Sequence, residues 1–217
     1  MNIRTSQRTV KLVVAGVMIA LATVLSIIKV FELPYGGSIT LFSMLPIAFF
    51  SYRYGIKWGL FIGLIHGCIQ MLLGSGGLRG MSFGSLVGVV VFDYLLAFAV
   101  LGFAGLFRNK IKNPAWSFTL GAIVAGFLRF ISHIFAGFLF WGEYAEWYFS
   151  NEGFEFGAWV LEHISGSALA LIYSTVYNAS YMLPEIAITA VGAFLLMKLA
   201  GRQILDQTQL SANTPGQ

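Results

Sequence analysis

The stretch "FLRFISHIFAGFLFWGEYAEW", residues 127–147, decides how this chain folds. Arg129 and His133 sit one helical turn apart inside a long apolar run, followed by Gly137 and then Trp141. The four positions fall at i, i+4, i+8 and i+12, a slowly slanting ridge along one helix. In a membrane-spanning helix, a guanidinium and an imidazole are expensive and need partners.

Composition places the helix in a membrane. Of the 217 residues, 58% are hydrophobic and only 10% charged, with a mean hydropathy of +0.80. A soluble domain has roughly a quarter of its residues charged, so the deficit indicates a polytopic membrane protein. The pI of about 9.3 does not point to nucleic acid. Its basic residues lie in short clusters between apolar runs, where they orient membrane helices. Cys68 is the single cysteine, so no internal disulfide is expected. His66, His133 and His163 are scattered, and neither a metal nor a cofactor is expected. The N-terminal segment looks like a signal peptide, but its apolar run from Leu12 to Ile28 is long and no small-residue cleavage site follows. It reads as a retained first span.

A span needs about 20 mainly apolar residues. Six segments qualify, near 10–29, 40–54, 57–75, 83–107, 114–140 and 177–199, the second being short and interrupted by Pro46. The expected fold is an all-α membrane protein, a six-transmembrane-helix bundle in one domain over 1–200, with a polar tail over 201–217. With a cytoplasmic N-terminus, the inner side collects Arg4, Arg8, Lys11, Arg53, Lys57, Arg108, Lys110, Lys112, Lys198 and Arg202, ten of the thirteen basic residues. The outer segment 142–172 carries five glutamates and no Lys or Arg. Both termini are therefore expected in the cytoplasm. Gly59, Gly63 and Gly67 form a small-residue row suited to internal helix packing, and Gly16 with Ala20 repeats the pattern in the first span.

The ionisable residues within spans are His66, Asp93, Arg129 and His133, with Glu185 in the last one. Asp93 lies about 15 Å from the outer end of its helix and His133 roughly 12 Å below Trp141, so both sit in the outer half of the bilayer. A direct ion pair between Asp93 and Arg129 is the plainest expectation. Tyr94, Trp141, Tyr173 and Asn178 lie at comparable depth. Each aromatic residue alone fits an interface belt. Together, a carboxylate, an imidazole, an amide and aromatic faces suit a flat, polar, cationic ligand. Tyr173 and Asn178, five apart, are poorly spaced for one face and would converge better if the chain between them turns into the sixth span, with Pro184 a source of local irregularity in that stretch.

The segments "GGSITLFSMLPIAFFSYRYGIKWGL", "FDYLLAFAVLGFAGLFR", "SHIFAGFLFW" and "YSTVYNASYMLPE" give a resemblance. They are similar to the thiamin-specific S components of bacterial energy-coupling factor (ECF) transporters. The resemblance implies a six-helix membrane bundle with a thiamin site near the outer face. It implies that Trp141 stacks on a vitamin ring and that Tyr173 and Asn178 address the aminopyrimidine. Asp93, with Tyr94 beside it, and His133 would stand near the cationic thiazolium, and Gly137 would leave the ring room. Gly16 and Ala20 fall where the family docks on its membrane coupling subunit (EcfT), and two ABC ATPase subunits complete the transporter. The outer segment is longer than the family pattern, and Tyr35 in "ELPYGGS" is a candidate lid aromatic. The sequence has no G-x-x-x-x-G-K-[ST] motif, so separate subunits must supply ATP. The alternatives are an S component for another heteroaromatic vitamin or precursor, an intramembrane enzyme with Asp93 and His133 as acid and base, and a self-sufficient carrier. A carrier usually shows internal duplication, which is not evident.

Overall fold

The structure is a computed structural model that describes the backbone of residues 3–33, 37–151 and 153–213, and side chains over 7–33, 37–151 and 153–201. Helix α1 (Ile3–Ile27) leads into a short antiparallel hairpin, β1 (Lys29–Glu32) and β2 (Ser38–Thr40). Then come α2 (Leu45–Tyr54), α3 (Ile56–Leu73), α4 (Phe83–Gly105) and α5 (Pro114–Phe140). Two small helices, α6 (Ala145–Phe149) and α7 (Glu155–His163), precede the long α8 (Gly166–Asn213).

Among the described residues, five helices are long and apolar enough to span a bilayer: α1, α3, α4, α5 and α8. The sixth member of the bundle, α2, has only 10 residues. It covers about 15 Å at the helical rise, half of a hydrocarbon core, and every residue from Pro46 to Tyr52 is buried in protein. The segment 40–54 is therefore not a continuous span. Its first residues end β2 and turn through Phe42, at φ 64°, whose ring packs where a Cβ on Gly192 would otherwise sit. Pro46 is tolerated because it lies in the first helical turn, where the N–H has no helical acceptor.

The last helix also departs from the sequence expectation. It begins at Gly166 rather than near 177 and runs unbroken through Pro184. One missing N–H in a span is offset by neighbouring groups, so Pro184 does not end the helix. The backbone stays helical to Asn213, well into the polar tail expected over 201–217. Tyr35 lies outside the described residues.

The helix ends follow local chemistry. Asn113 caps α5, its Oδ1 accepting from Ala115 N at 3.0 Å and Trp116 N at 3.3 Å, with Pro114 in the first turn. Ser82 caps α4 by accepting from Ser85 N at 3.2 Å. The main core gathers Phe50, Ile47, Ile62, Leu101, Phe118 and Met182, all nearly inaccessible. The glycine row of α3 packs on α4: a Cβ on Gly67 would lie 2.7 Å from the Tyr94 carbonyl, and one on Gly63 would strike that of Phe98. A second, smaller cluster joins α6 and α7 to the start of α8 through Phe149, Val160, Leu169 and Tyr173. It lies over the end of α5 that carries Trp141.

Candidate functional site

Helix α4 changes register where the site forms. It is α-helical over Phe83–Val89, π-helical over Val90–Leu96 and 3₁₀ over Val100–Gly105. A π turn inside a helix displaces side chains from their regular positions and frequently marks a functional site. Asp93 sits inside this turn, and the neighbouring Phe92 carbonyl accepts from Ser132 Oγ on α5 at 2.6 Å.

The ridge on α5 meets Asp93 in an ordered chain of contacts. His133 Nδ1 lies 2.8 Å from Asp93 Oδ1, and Trp141 Nε1 donates to Asp93 Oδ2 at 3.1 Å. Arg129 Nε donates to His133 Nε2 at 3.3 Å. Because Arg129 can only donate, His133 Nε2 must accept, which leaves the imidazole proton on Nδ1, directed at Asp93. His133 is thus neutral in this arrangement, its tautomer set by its two neighbours.

The direct Asp93–Arg129 ion pair expected from sequence is not formed among the described residues. His133 stands between the two charges. The guanidinium instead lies 4.3 Å from the centroid of the Phe98 ring, a cation–π contact.

Gly137 and Asn178 belong to the contact between α5 and α8. A Cβ on Gly137 would strike the hydroxyl of Ser174 and lie 3.2 Å from Asn178 Nδ2. Glycine is required here by close helix approach, a reason different from leaving a ligand room. Asn178 Nδ2 donates to Ser174 O at 2.8 Å and to His133 O at 3.3 Å, and its Oδ1 accepts from Tyr181 at 2.5 Å. Tyr173 does not converge with it. Since α8 is continuous, residues five apart point away from each other, and Tyr173 packs with Tyr148 (5.4 Å) and Tyr177 (5.8 Å) in the outer cluster. Tyr94 also turns away from its neighbour Asp93: its hydroxyl lies 3.5 Å from the Gly74 carbonyl at the end of α3. Gly16 and Ala20 lie on the exposed face of α1, and nothing comes within 4 Å of a Cβ built on Gly16.

The sequence reading names Tyr173 but not Tyr177, Tyr181 or Thr40. Tyr173, Tyr177 and Tyr181 recur every four residues and form a ladder on α8, with ring centroids about 6 Å apart. That spacing is legible in "YSTVYNASY". The hairpin closes over the ladder, since Gly37 N donates to Tyr177 Oη at 3.1 Å, and a Cβ on Gly37 would lie 2.7 Å from the Tyr181 ring. At its base, Thr40 N and Thr40 Oγ1 both lie 2.5 Å from Glu185 Oε1. No local pattern predicts that contact, which spans 145 residues.

The arrangement is a carboxylate with two donors on it, topped by Trp141, Tyr144 and the tyrosine ladder. Aromatic faces around an anionic group are the standard means of holding an organic cation. The neutral imidazole and the carboxylate resemble an acid–base pair, but both carboxylate oxygens are engaged. Two cavities of about 500 and 480 Å³ lie elsewhere. One is beside Lys57 and Arg108, at the far end of α5, and the other is beside Trp147 in the outer segment. Neither is lined by Asp93.

Known proteins match this chain along most of its length. The family described as thiamine transporter protein (Thia_YuaJ) matches residues 12–150. A "Thiamine transporter ThiT" from Bacillus subtilis is 30% identical over 208 residues, 91% of this chain and 95% of that protein. A second, from Lacticaseibacillus paracasei, is 28% identical over 130 residues, 54% of this chain and 58% of its own length. In fold, the chain resembles a solved structure of ThiT from Listeria monocytogenes, with a TM-score of 0.67 at 24% identity, covering 91% of this chain and 98% of that one. With its multi-pass helical bundle, the chain belongs to the thiamine transporter (Thia_YuaJ) family of bacterial cell-membrane proteins.

Proposed function

We propose that this protein is the thiamin-binding S component of an ECF importer, capturing extracellular vitamin B1 for uptake driven by other subunits. It is a transport protein and not an enzyme. The observation that carries the reading is the Asp93 carboxylate, held by His133 at 2.8 Å and Trp141 at 3.1 Å beneath an aromatic group. An anionic group within a membrane, capped by aromatic rings, suits a flat cationic heterocycle. Thiamin, with its thiazolium, is the ligand named for the relatives.

In this reading Trp141 stacks on the ligand, and its indole N–H leaves Asp93 when the thiazolium arrives. Tyr181 and Asn178 form the floor, and Tyr173 and Tyr177 form the wall on the side of the hairpin. Both termini are cytoplasmic, which places the site near the outer face and the basic loops inside. The membrane domain covers 1–200, and the tail lies on the inner side. The coupling subunit docks on the small, exposed face of α1 around Gly16 and Ala20, and two ABC ATPases supply the energy through it.

Calorimetric titration of the detergent-purified chain with thiamin tests the central claim. One saturable site per chain is expected. Absence of binding would overturn the assignment of substrate while leaving the fold in place.

A further inference from the structure

Ser132 is 3% exposed and stands beside His133 on α5. Its hydroxyl donates across to α4, to the Phe92 carbonyl at 2.6 Å. A hydroxyl on a helix ordinarily has a nearer acceptor, the carbonyl four residues back. Thr23, Thr119 and Thr175 use it here, bonding the carbonyls of Ile19, Ala115 and Leu171 at 2.8 Å each. Ser132 directs its one proton to a different helix instead.

The place it reaches is the π turn over Val90–Leu96. Such turns are rare beside α turns, so contacts from outside the helix must favour this one. The peptide unit is planar, and the Phe92 carbonyl shares its plane with the nitrogen and Cα of Asp93. Holding that carbonyl therefore constrains the direction in which Asp93 leaves α4. The next pair of residues meets as well, with His133 Nδ1 2.8 Å from Asp93 Oδ1. Consecutive residues of α5 thus hold consecutive residues of α4, Ser132 by the backbone and His133 by the side chain. Were the turn to relax to α geometry by one residue, its two ends would rotate relative to each other by about 100°. A rotation of that size takes the carboxylate away from His133 and from Trp141 Nε1, now 3.1 Å from Oδ2.

We propose that Ser132 is a positioning residue: its bond to the Phe92 carbonyl holds the π turn of α4 and keeps the Asp93 carboxylate aimed at His133, Trp141 and the incoming cation. The proposal rests on the thiamin reading for the identity of the cation, whereas the aim of Asp93 is a property of the ligand-free protein. Ser132 does not touch the ligand. It acts through the backbone on the residue that does.

The Trp141 indole proton reports the aim, because its resonance lies downfield while Asp93 accepts it. In protein carrying ¹⁵N at its five tryptophan indoles, Trp141→Phe identifies the Trp141 signal. Asp93→Ala shows where that signal moves once the acceptor is gone. In ligand-free Ser132→Ala, the signal should move most of the way to its Asp93→Ala position. Thiamin affinity by calorimetry should fall about tenfold, the upper range for one net hydrogen bond. Ser132→Thr restores a hydroxyl and should return both readouts toward the wild type. A plain tie between α4 and α5 would lower the thermal stability of Ser132→Ala and leave the Trp141 signal in place, and that result would overturn the proposal. A shifted signal with unchanged thiamin affinity would overturn it too, since the aim of Asp93 would then not matter to binding. Should Ser132→Ala fail to fold, Ser132→Cys keeps the shape with a weak donor and must shift the signal in the same direction. A wild-type signal in that variant would refute the proposal. Wild-type protein that binds no thiamin would remove the thiamin reading, and the indole signal alone would still decide whether Ser132 aims Asp93.

Discussion

Trp141 combines two contacts that substitution can separate. Its ring offers a stacking face, and its N–H reaches Asp93 Oδ2 at 3.1 Å. Trp141→Ala should weaken thiamin binding by about 1–3 kcal/mol, the range for removing a ring that stacks on a base. Trp141→Phe keeps a face and removes only an N–H that the arriving ligand displaces from Asp93, so calorimetry should place its affinity near that of the wild type. Equal losses in both variants would mean that the indole N–H, and not stacking, is what thiamin binding needs. Gly137 poses a second question at this scale. Its Cβ position collides with Ser174 in the protein itself, so Gly137→Ala should destabilise the fold by about 1–3 kcal/mol through overpacking. Thermal unfolding in detergent should show that loss without thiamin present. Unchanged stability with reduced affinity would instead return the glycine to the ligand's side.

Secondary structure shows why some elements were legible and others were not. Helices α1, α3, α4 and α5 are long apolar runs bounded by basic clusters or caps such as Asn113, and hydropathy finds them. Helix α2 is apolar for another reason, burial on all sides in protein, and hydropathy does not distinguish that from lipid. The start of α8 is not legible because residues 166–172 read as part of the outer segment 142–172, and Pro184 suggests a break that neighbouring packing tolerates. The π turn at Asp93 has no sequence signature, yet it sets which way the carboxylate points. By contrast, the convergence of Asp93 with the ridge followed from depth alone, although the partner it meets is His133. Helix α1 yields a prediction of its own. Ala15 and Ala22 are its buried contacts, while Gly16 and Ala20 face outward among Leu12, Val13 and Val17. Gly16→Leu or Ala20→Leu should therefore leave thiamin affinity intact and abolish ATP-driven uptake in vesicles containing the full transporter, because bulk there blocks close helix docking. Lost thiamin affinity would place that face inside the bundle instead. In the outer segment, burial raises the Tyr148 phenol above its ordinary 10.0. The folded state thus favours the neutral form, and the contacts of Tyr148 with Tyr173 and Tyr177 keep full strength at neutral pH and weaken as pH rises beyond about 10. Tyrosinate absorbance on alkaline titration should show a late-ionising contribution that Tyr148→Phe removes, together with loss of α6 packing.

At the scale of the molecule, a candidate site near one end of the bundle separates binding from transport. Moving a cation from one face to the other requires a second opening and an energy source. The hairpin, tied to Tyr177 and Glu185, covers the side of the site nearest α6 and α7. At the other side, α2, α4 and α5 close the core with Phe50, Leu101 and Phe118, which are almost inaccessible to solvent. That end is therefore blocked by packed core, and opening it would expose many apolar side chains at about 25 cal/mol per Å². A movement of the whole bundle in the membrane, driven from outside it, avoids that cost. The 217 residues contain no G-x-x-x-x-G-K-[ST] segment with which to drive it. Liposomes containing only this chain should bind thiamin to saturation at one per chain, yet accumulate none against a gradient, whether or not ATP is enclosed. Adding the coupling subunit and its ATPases should give uptake that stops when ATP is withdrawn. Accumulation by the chain alone would mean that the core opens inward by itself, and the protein would have to be treated as a carrier.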